Sequence, residues 1–155
     1  YCYADDGSTL EEVVVRALAT RNGSLALVEI GSGGQLAAAL NGVTGADRWL
    51  AGAFTAPTTK AMARILGLPA DAPTAPGVDL VKTLAVGGAE LARGPLALTV
   101  GPVEADSAGT RGVWVALRLP SDQWQARRFP VQGTGKINPA NLTTPILDQL
   151  RRWLK

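Results

Sequence analysis

A serine lies within a glycine-rich turn, Gly31 to Gly34, which follows an apolar run and precedes a helix-like pattern. A strand that ends in such a turn and leads into a helix is where α/β proteins place nucleophiles and bind anions, because N–H groups at the helix start point into the turn. Ser32 is therefore a candidate for an attacking oxygen, and the turn is a candidate site for a phosphate or nucleotide.

A nucleophilic serine needs a base, and the composition restricts which residue could serve. The 155 residues include no histidine, which excludes a Ser-His-Asp triad, Cys-His catalysis and His-ligated zinc. The base would have to be Lys or Tyr. The sequence contains no cluster with metal-ligand spacing, so we expect neither a metal nor a cofactor.

Composition also limits the class of protein. The 15 Lys/Arg and 13 Asp/Glu residues are spread along the chain, so we expect no nucleic-acid partner. The sequence has no apolar run near 18 residues and one cysteine, Cys2, which favours a soluble, cytoplasmic protein without disulfides and excludes a membrane partner. The chain opens on YCYADD without a Met, so we expect it to be part of a longer protein.

The spacing of apolar residues predicts the helices and the strand around the turn. A helix is predicted after Thr9, which forms a capping-box pattern with Glu12, and Gly23 is predicted to end it. The segment SLALVEI is typical of a buried strand, and GQLAAALNG of a short helix that ends at Asn41 and Gly42.

The middle of the chain continues this alternation. RWLAGAFTA predicts a second strand, followed by a helix that Thr58 or Thr59 caps and that runs through Leu66. A further helix is predicted from Val78 to Arg93. It contains two adjacent glycines, which indicate close packing because glycine is a poor helix former.

The last part of the chain is rich in β-formers. PLALTV, GVWVALRL and WQARRFPV predict three strands, the last two joined by a hairpin at PSD. Arg127 and Arg128 alternate across the third of them, so one of the two is predicted to face solvent.

A terminal helix is predicted with Thr144 as its cap and Pro145 in its first turn. These elements predict an α/β sandwich with a mixed sheet. Four tryptophans are expected in the core or at an interface: Trp49, Trp114, Trp124 and Trp153.

The segments LALVEIGSGGQLAAAL, GVTGADRWLAG, ARILGL, GVWVAL and LRRWL, in this order, resemble the C-terminal domain of the CinA family. The resemblance covers nearly the whole chain. It implies a three-layer α/β/α sandwich with a mixed sheet, formed by a single domain at residues 1–155 that belongs to a longer two-domain protein. It also implies a homodimer and an ancestral activity as a nicotinamide mononucleotide amidohydrolase.

The residues that the resemblance assigns to catalysis are replaced. The family signature AESCTGG reads VEIGSGG here, so its nucleophilic serine matches Ile30, which has no attacking atom. The Tyr and Lys of the family's base system match Pro57 and Met62. The glycine-rich loop that helps to line the family's nucleotide pocket matches VGPVEAD, residues 100–106. An arginine of the family matches Gly135, with Lys136 beside it.

These replacements lead us to expect a catalytically degenerate domain that binds a nucleotide or dimerises. The alternative is an amidohydrolase with a rebuilt Ser32–Lys60 pair. We favour Ser32 as a helix cap. The step of two residues from Lys60 to Met62 corresponds to a helical rotation of about 200°, which directs Lys60 away from the side of Met62.

Ile30 and Met62 are expected to pack together. Glu29 is expected to support the turn through hydrogen bonds. The predicted ligand-binding residues are Glu29, Gly31, Ser32, Gly33, Gly34 and Lys136.

Overall fold

The computed structural model describes residues 4–132 and 138–155. In these ranges a mixed sheet lies between two layers of helices. The helices are α1 (Leu10–Arg21), α2 (Gln35–Asn41), α3 (Thr59–Ile65), α4 (Val78–Ala92) and α5 (Ala140–Trp153). The strands are β1 (Leu25–Glu29), β2 (Leu50–Thr55), β3 (Leu96–Val100), β4 (Glu104–Ala105), β5 (Arg111–Leu119) and β6 (Gln123–Pro130).

The sheet combines a parallel and an antiparallel part. β1 pairs in parallel with β2 on one side and with β3 on the other. β5 is antiparallel to β3 and to β6, and its first residues also pair with the short β4. The predicted α/β sandwich with a mixed sheet and the predicted β5–β6 hairpin are confirmed, whereas β4 was not predicted.

β1 is buried on both faces because helices cover the sheet on both sides. Leu25 and Leu27 belong to the large core cluster that includes residues of α1, α2 and α5. Ala26 and Val28 belong to two smaller clusters with residues of α3 and α4. Successive side chains of β1 point to opposite faces of the sheet and contact different helical layers. The end of β1, and therefore the glycine-rich turn, lies between these two layers.

The first helix follows its predicted signals closely. Thr9 and Glu12 form a complete capping box at the start of α1. The residue with the left-handed backbone at the end of α1 is Asn22, with φ 50°, whereas the sequence predicted Gly23 as the stop. Asn is one of the few residues besides Gly that adopt this conformation readily.

The glycine pair of α4 permits the close packing predicted for it. A Cβ on Gly88 would overlap Cγ2 of Val28, and one on Gly87 would lie 3.0 Å from Cδ2 of Leu68. At Gly88 the helix therefore approaches β1 at a distance that a larger residue would prevent, whereas at Gly87 a Cβ would require a small shift of the Leu68 side chain.

The predicted start of the terminal helix is wrong. α5 begins at Ala140, so Pro145 lies inside the helix and Thr144 does not cap it. The side chain of Asn138 accepts the N–H of Ala140 instead, at 3.1 Å. The earlier start adds a turn that buries Leu142, and this burial offsets the cost of an internal proline.

The tryptophans are less buried than expected. Each of the four is half-buried rather than fully enclosed, so the prediction of a core position is only partly correct. Trp49 and Trp153 pack against the large core cluster, and Trp124 packs against the alanine-rich cluster under α4. No helix within residues 4–132 and 138–155 is long and apolar enough to span a bilayer.

Candidate functional site

The glycine-rich turn lies beside the loop that follows β3, as the resemblance implies. The N–H of Ile30 donates to the carbonyl of Val100 at 3.0 Å, and the N–H of Gly31 donates to the carbonyl of Gly101 at 2.9 Å. A Cβ on Gly31 would lie 2.7 Å from that second carbonyl, so only glycine permits this approach. The turn and the loop therefore form one unit at the end of the central strands.

Glu29, the last residue of β1, is fully buried and fixes the start of α2. Its Oε1 accepts hydrogen bonds from the hydroxyl of Ser32 at 2.6 Å and from the N–H of Leu36 at 3.0 Å. Its Oε2 accepts the N–H of Ala37 at 3.1 Å. The expectation that Glu29 supports the turn through hydrogen bonds is met, because its carboxylate caps a helix from the preceding strand.

The predicted cap role of Ser32 is wrong. The N-cap residue of α2 is Gly34, with φ 86°, and this glycine has no side chain with which to cap the helix. The hydroxyl of Ser32 donates to Glu29 instead, and the serine is 0% exposed. Because the longer Glu29 side chain already occupies the N–H groups at the helix start, the serine supports the carboxylate rather than the backbone.

Most N–H groups that could receive an anion at this turn already have protein acceptors. Gly33 donates to the carbonyl of Ile30 at 3.3 Å, and Gln35 donates to the carbonyl of Ser32 at 3.1 Å. Within the described residues, the turn retains only the N–H groups of Ser32 and Gly34 without such an acceptor. Gly135 and Lys136, the remaining predicted site positions, lie outside the described residues.

Two of the three side chains at the replaced catalytic positions, Ile30 and Met62, are buried. Ile30 is 8% exposed and Met62 is 0% exposed, and both belong to one apolar cluster with Val28. The expected packing of these residues is confirmed. Pro57 and Lys60 are exposed, so Lys60 lies on the side of α3 away from Met62, as predicted.

Arg128 fixes the loop after β3, a role that sequence reasoning missed. Its guanidinium contacts Oε1 of Glu104 at 3.0 Å and the carbonyl of Thr110 at 2.8 Å, with a carboxylate oxygen of Asp106 at 3.8 Å. Arg127 is the exposed member of the pair, in agreement with the predicted alternation. The acidic residues of VEAD were the one signal that could have indicated this arrangement.

Residues 7–154 match the family model described as the CinA C-terminal domain. The chain belongs to the CinA family. The positions that resemble the family signature, and the glycine-rich turn with them, lie within the matched region.

Known CinA-family proteins agree with this assignment. A competence-damage inducible protein of Desulforamulus reducens is 30% identical over 90% of this chain and 37% of its own length. A CinA-like protein of Citrifermentans bemidjiense is 28% identical over 99% of this chain and 39% of its own length. The chain thus spans less than half the length of these two relatives.

A solved structure shares the fold. The competence or damage-inducible protein of Enterobacter asburiae aligns with a TM-score of 0.78 and 19% identity, covering 96% of this chain and 99% of that one. At this level of identity the similarity concerns the three-layer fold with its mixed sheet.

Proposed function

We propose that this CinA-family domain is catalytically degenerate and acts as a non-enzymatic binding or dimerisation module. The observation that carries the proposal is Ile30, an apolar and nearly buried residue at the position that the family resemblance assigns to the nucleophile. Acyl transfer from an amide needs an attacking oxygen, a base in contact with it and donors for the oxyanion. Ile30 lacks the first, and Pro57 and Met62 replace the second.

The packing around Ile30 supports the same proposal. A working pocket requires space next to the nucleophile, but Met62 and Leu80 share the buried cluster with Ile30. A change in one residue could leave an active-site cavity intact. Here two aligned positions carry apolar side chains that pack in one cluster, which is the arrangement of a core.

Of the two non-enzymatic roles, the hydrogen bonds favour dimerisation or interaction over nucleotide binding at the turn. The carboxylate of Glu29 occupies the α2 N–H groups that would otherwise hold a phosphate, and it would repel a second anion. Among the N–H groups of the turn that the structure describes, only those of Ser32 and Gly34 would remain for a phosphate.

One observation favours the alternative, an amidohydrolase with a rebuilt site. The short hydrogen bond from Ser32 to Glu29 could polarise the hydroxyl. However, Ser32 is fully buried, and Lys60, its proposed partner, is exposed on α3. The alternative would require the turn to open before any substrate could reach the oxygen.

The decisive experiment is an ammonia-release assay with nicotinamide mononucleotide on the full chain beside its Ser32→Ala and Lys60→Ala variants. We expect no release above background from any of the three. Turnover in the original chain that both substitutions abolish would establish the rebuilt pair and overturn the proposal. Turnover that neither substitution affects would also overturn it, by placing catalysis elsewhere.

A second arm restores the family residues by the combined change Ile30→Ser, Pro57→Tyr and Met62→Lys. We expect no activity, because the lysine would enter an apolar cluster and no substrate pocket would be created.

Calorimetric titration with nicotinamide mononucleotide completes the test. Saturable binding that Gly34→Asp removes would replace the interaction role with a retained nucleotide site.

A further inference from the structure

A concave surface lies on the outer side of α3, away from the glycine-rich turn. The cavity has a volume of about 770 Å³ and lies between α3 and the segment that follows it. Volumes of about 300–1,000 Å³ are typical of small-molecule sites. Its apolar lining includes Ala63, Leu68, Pro69, Ala70, Ala72 and Pro73.

Two cations, Lys60 and Arg64, line the same cavity. They lie four residues apart on α3, so their side chains occupy neighbouring positions on one face, where like charges repel. Neither side chain forms an ion pair or hydrogen bond with any residue that the structure describes. An anion between them would relieve the repulsion and supply the absent counter-charge.

The cavity is separate from the site inherited from the family. Met62 projects from the opposite side of α3 into the buried cluster with Ile30, and neither residue lines the cavity. The hydroxyl-bearing residues Thr58 and Thr59 lie at one end of the cavity. The Thr58 hydroxyl already accepts the N–H of Ala61 at 3.1 Å, which leaves its proton available to donate to a ligand.

We propose that this cavity binds a small amphipathic anion, an apolar body that carries one carboxylate or phosphate. The apolar body would contact Leu68 and the prolines, and the oxyanion would lie between Lys60 and Arg64. A purely polar anion would leave the apolar lining exposed, and an uncharged apolar ligand would leave the two cations without a counter-charge. The combination of surfaces therefore selects a ligand that has both parts.

The test uses octanoate, octyl phosphate and octylammonium below their micellar concentrations, with amide chemical shifts of the full chain as the readout. We expect saturable shifts within residues 58–74 for both anions, and at least about tenfold weaker binding of the cation. A preference between octanoate and octyl phosphate identifies which oxyanion the cavity takes. Failure of both anions to bind, or shifts centred on the glycine-rich turn, would overturn the proposal.

Matched variants distinguish binding that depends on the two cations from nonspecific binding of the alkyl chain. The double change Lys60→Gln and Arg64→Gln is expected to weaken octanoate binding about tenfold. The control Arg93→Gln and Lys155→Gln removes the same charge from exposed positions outside the cavity and should leave binding unchanged. Equal effects of the two double variants would refute the assignment. Ala63→Phe, which fills the cavity, should abolish binding, with thermal denaturation checking that it folds.

Discussion

At the residue scale, the buried Glu29 explains why the glycine-rich turn is structural. A carboxylate at the end of a central strand would be costly to bury without partners. Glu29 has three donors, the Ser32 hydroxyl and the N–H groups of Leu36 and Ala37. The turn holds α2 against β1 through one side chain, and that side chain occupies the position that an external anion would take.

This arrangement predicts different effects for two substitutions. Glu29→Ala should lower the free energy of unfolding by about 3 kcal/mol, because it leaves the buried N–H of Leu36 without an acceptor and removes two other hydrogen bonds. Ser32→Ala removes one hydrogen bond and should cost about 1 kcal/mol. Urea denaturation of both variants measures the difference. Equal losses would contradict the assigned cap role of Glu29.

At the element scale, α4 depends on the absence of side chains where it crosses the sheet. Gly88→Ala should destabilise the protein by about 1–3 kcal/mol, because the new methyl overlaps Val28 and the gain in helix propensity of about 1 kcal/mol does not offset the overlap. Gly42→Ala is the matched control. Its Cβ would make an ordinary contact at 3.5 Å, and its φ of −71° suits alanine.

Thermal unfolding of the two glycine variants measures this effect. The melting temperature should fall for Gly88→Ala and stay the same or rise for Gly42→Ala. A neutral Gly88→Ala would mean that α4 can shift away from β1 without loss, contrary to the close packing described above.

The internal proline of α5 makes a second element-scale prediction. Pro145 is exposed and has no N–H to donate to the carbonyl of Asn141, one turn earlier. Pro145→Ala should therefore stabilise the protein by about 1–2 kcal/mol, because the new hydrogen bond outweighs the greater freedom of the unfolded chain. Urea denaturation checks the sign, and a destabilised variant would show that the proline fits the helix without cost.

The same elements show what the sequence could and could not predict. The capping box at Thr9 and the strand that precedes the turn are local signals, and both elements form where predicted. The start of α5 depends on burying Leu142 against distant residues, so local proline statistics misplaced it.

The same distinction between local signals and long-range contacts decides which features of the site could be predicted. The packing of Ile30 with Met62 could be anticipated, because the family resemblance assigns both positions to one catalytic site. The support of the turn by Glu29 was also expected, but its specific donors in α2 were not, because no spacing rule links a strand carboxylate to the N–H of Leu36, seven residues later. The ion pairs of Arg128 are likewise set by strand pairing across the sheet.

At the scale of the whole molecule, the two edges of the sheet differ in character. Among the described residues, β2 pairs only with β1, and its sequence LAGAFT contains no charge. β6 lies at the other edge and carries Arg127 and Arg128. Charged residues on an edge strand discourage pairing with another chain, whereas an uncharged edge permits it. The β2 edge is therefore where we place the contact of the proposed homodimer.

Sedimentation over a wide range of protein concentration tests this placement. We expect a monomer–dimer equilibrium that Ala53→Lys shifts strongly toward the monomer. Ala53 is exposed on the β2 edge strand, and a lysine there would add a positive charge to each edge of a β2–β2 contact. Gln125→Lys, at an exposed position of β6, is the matched control and should leave the equilibrium unchanged. A chain that stays monomeric at every concentration would disprove the homodimer, and a dimer weakened equally by both changes would place its contact elsewhere.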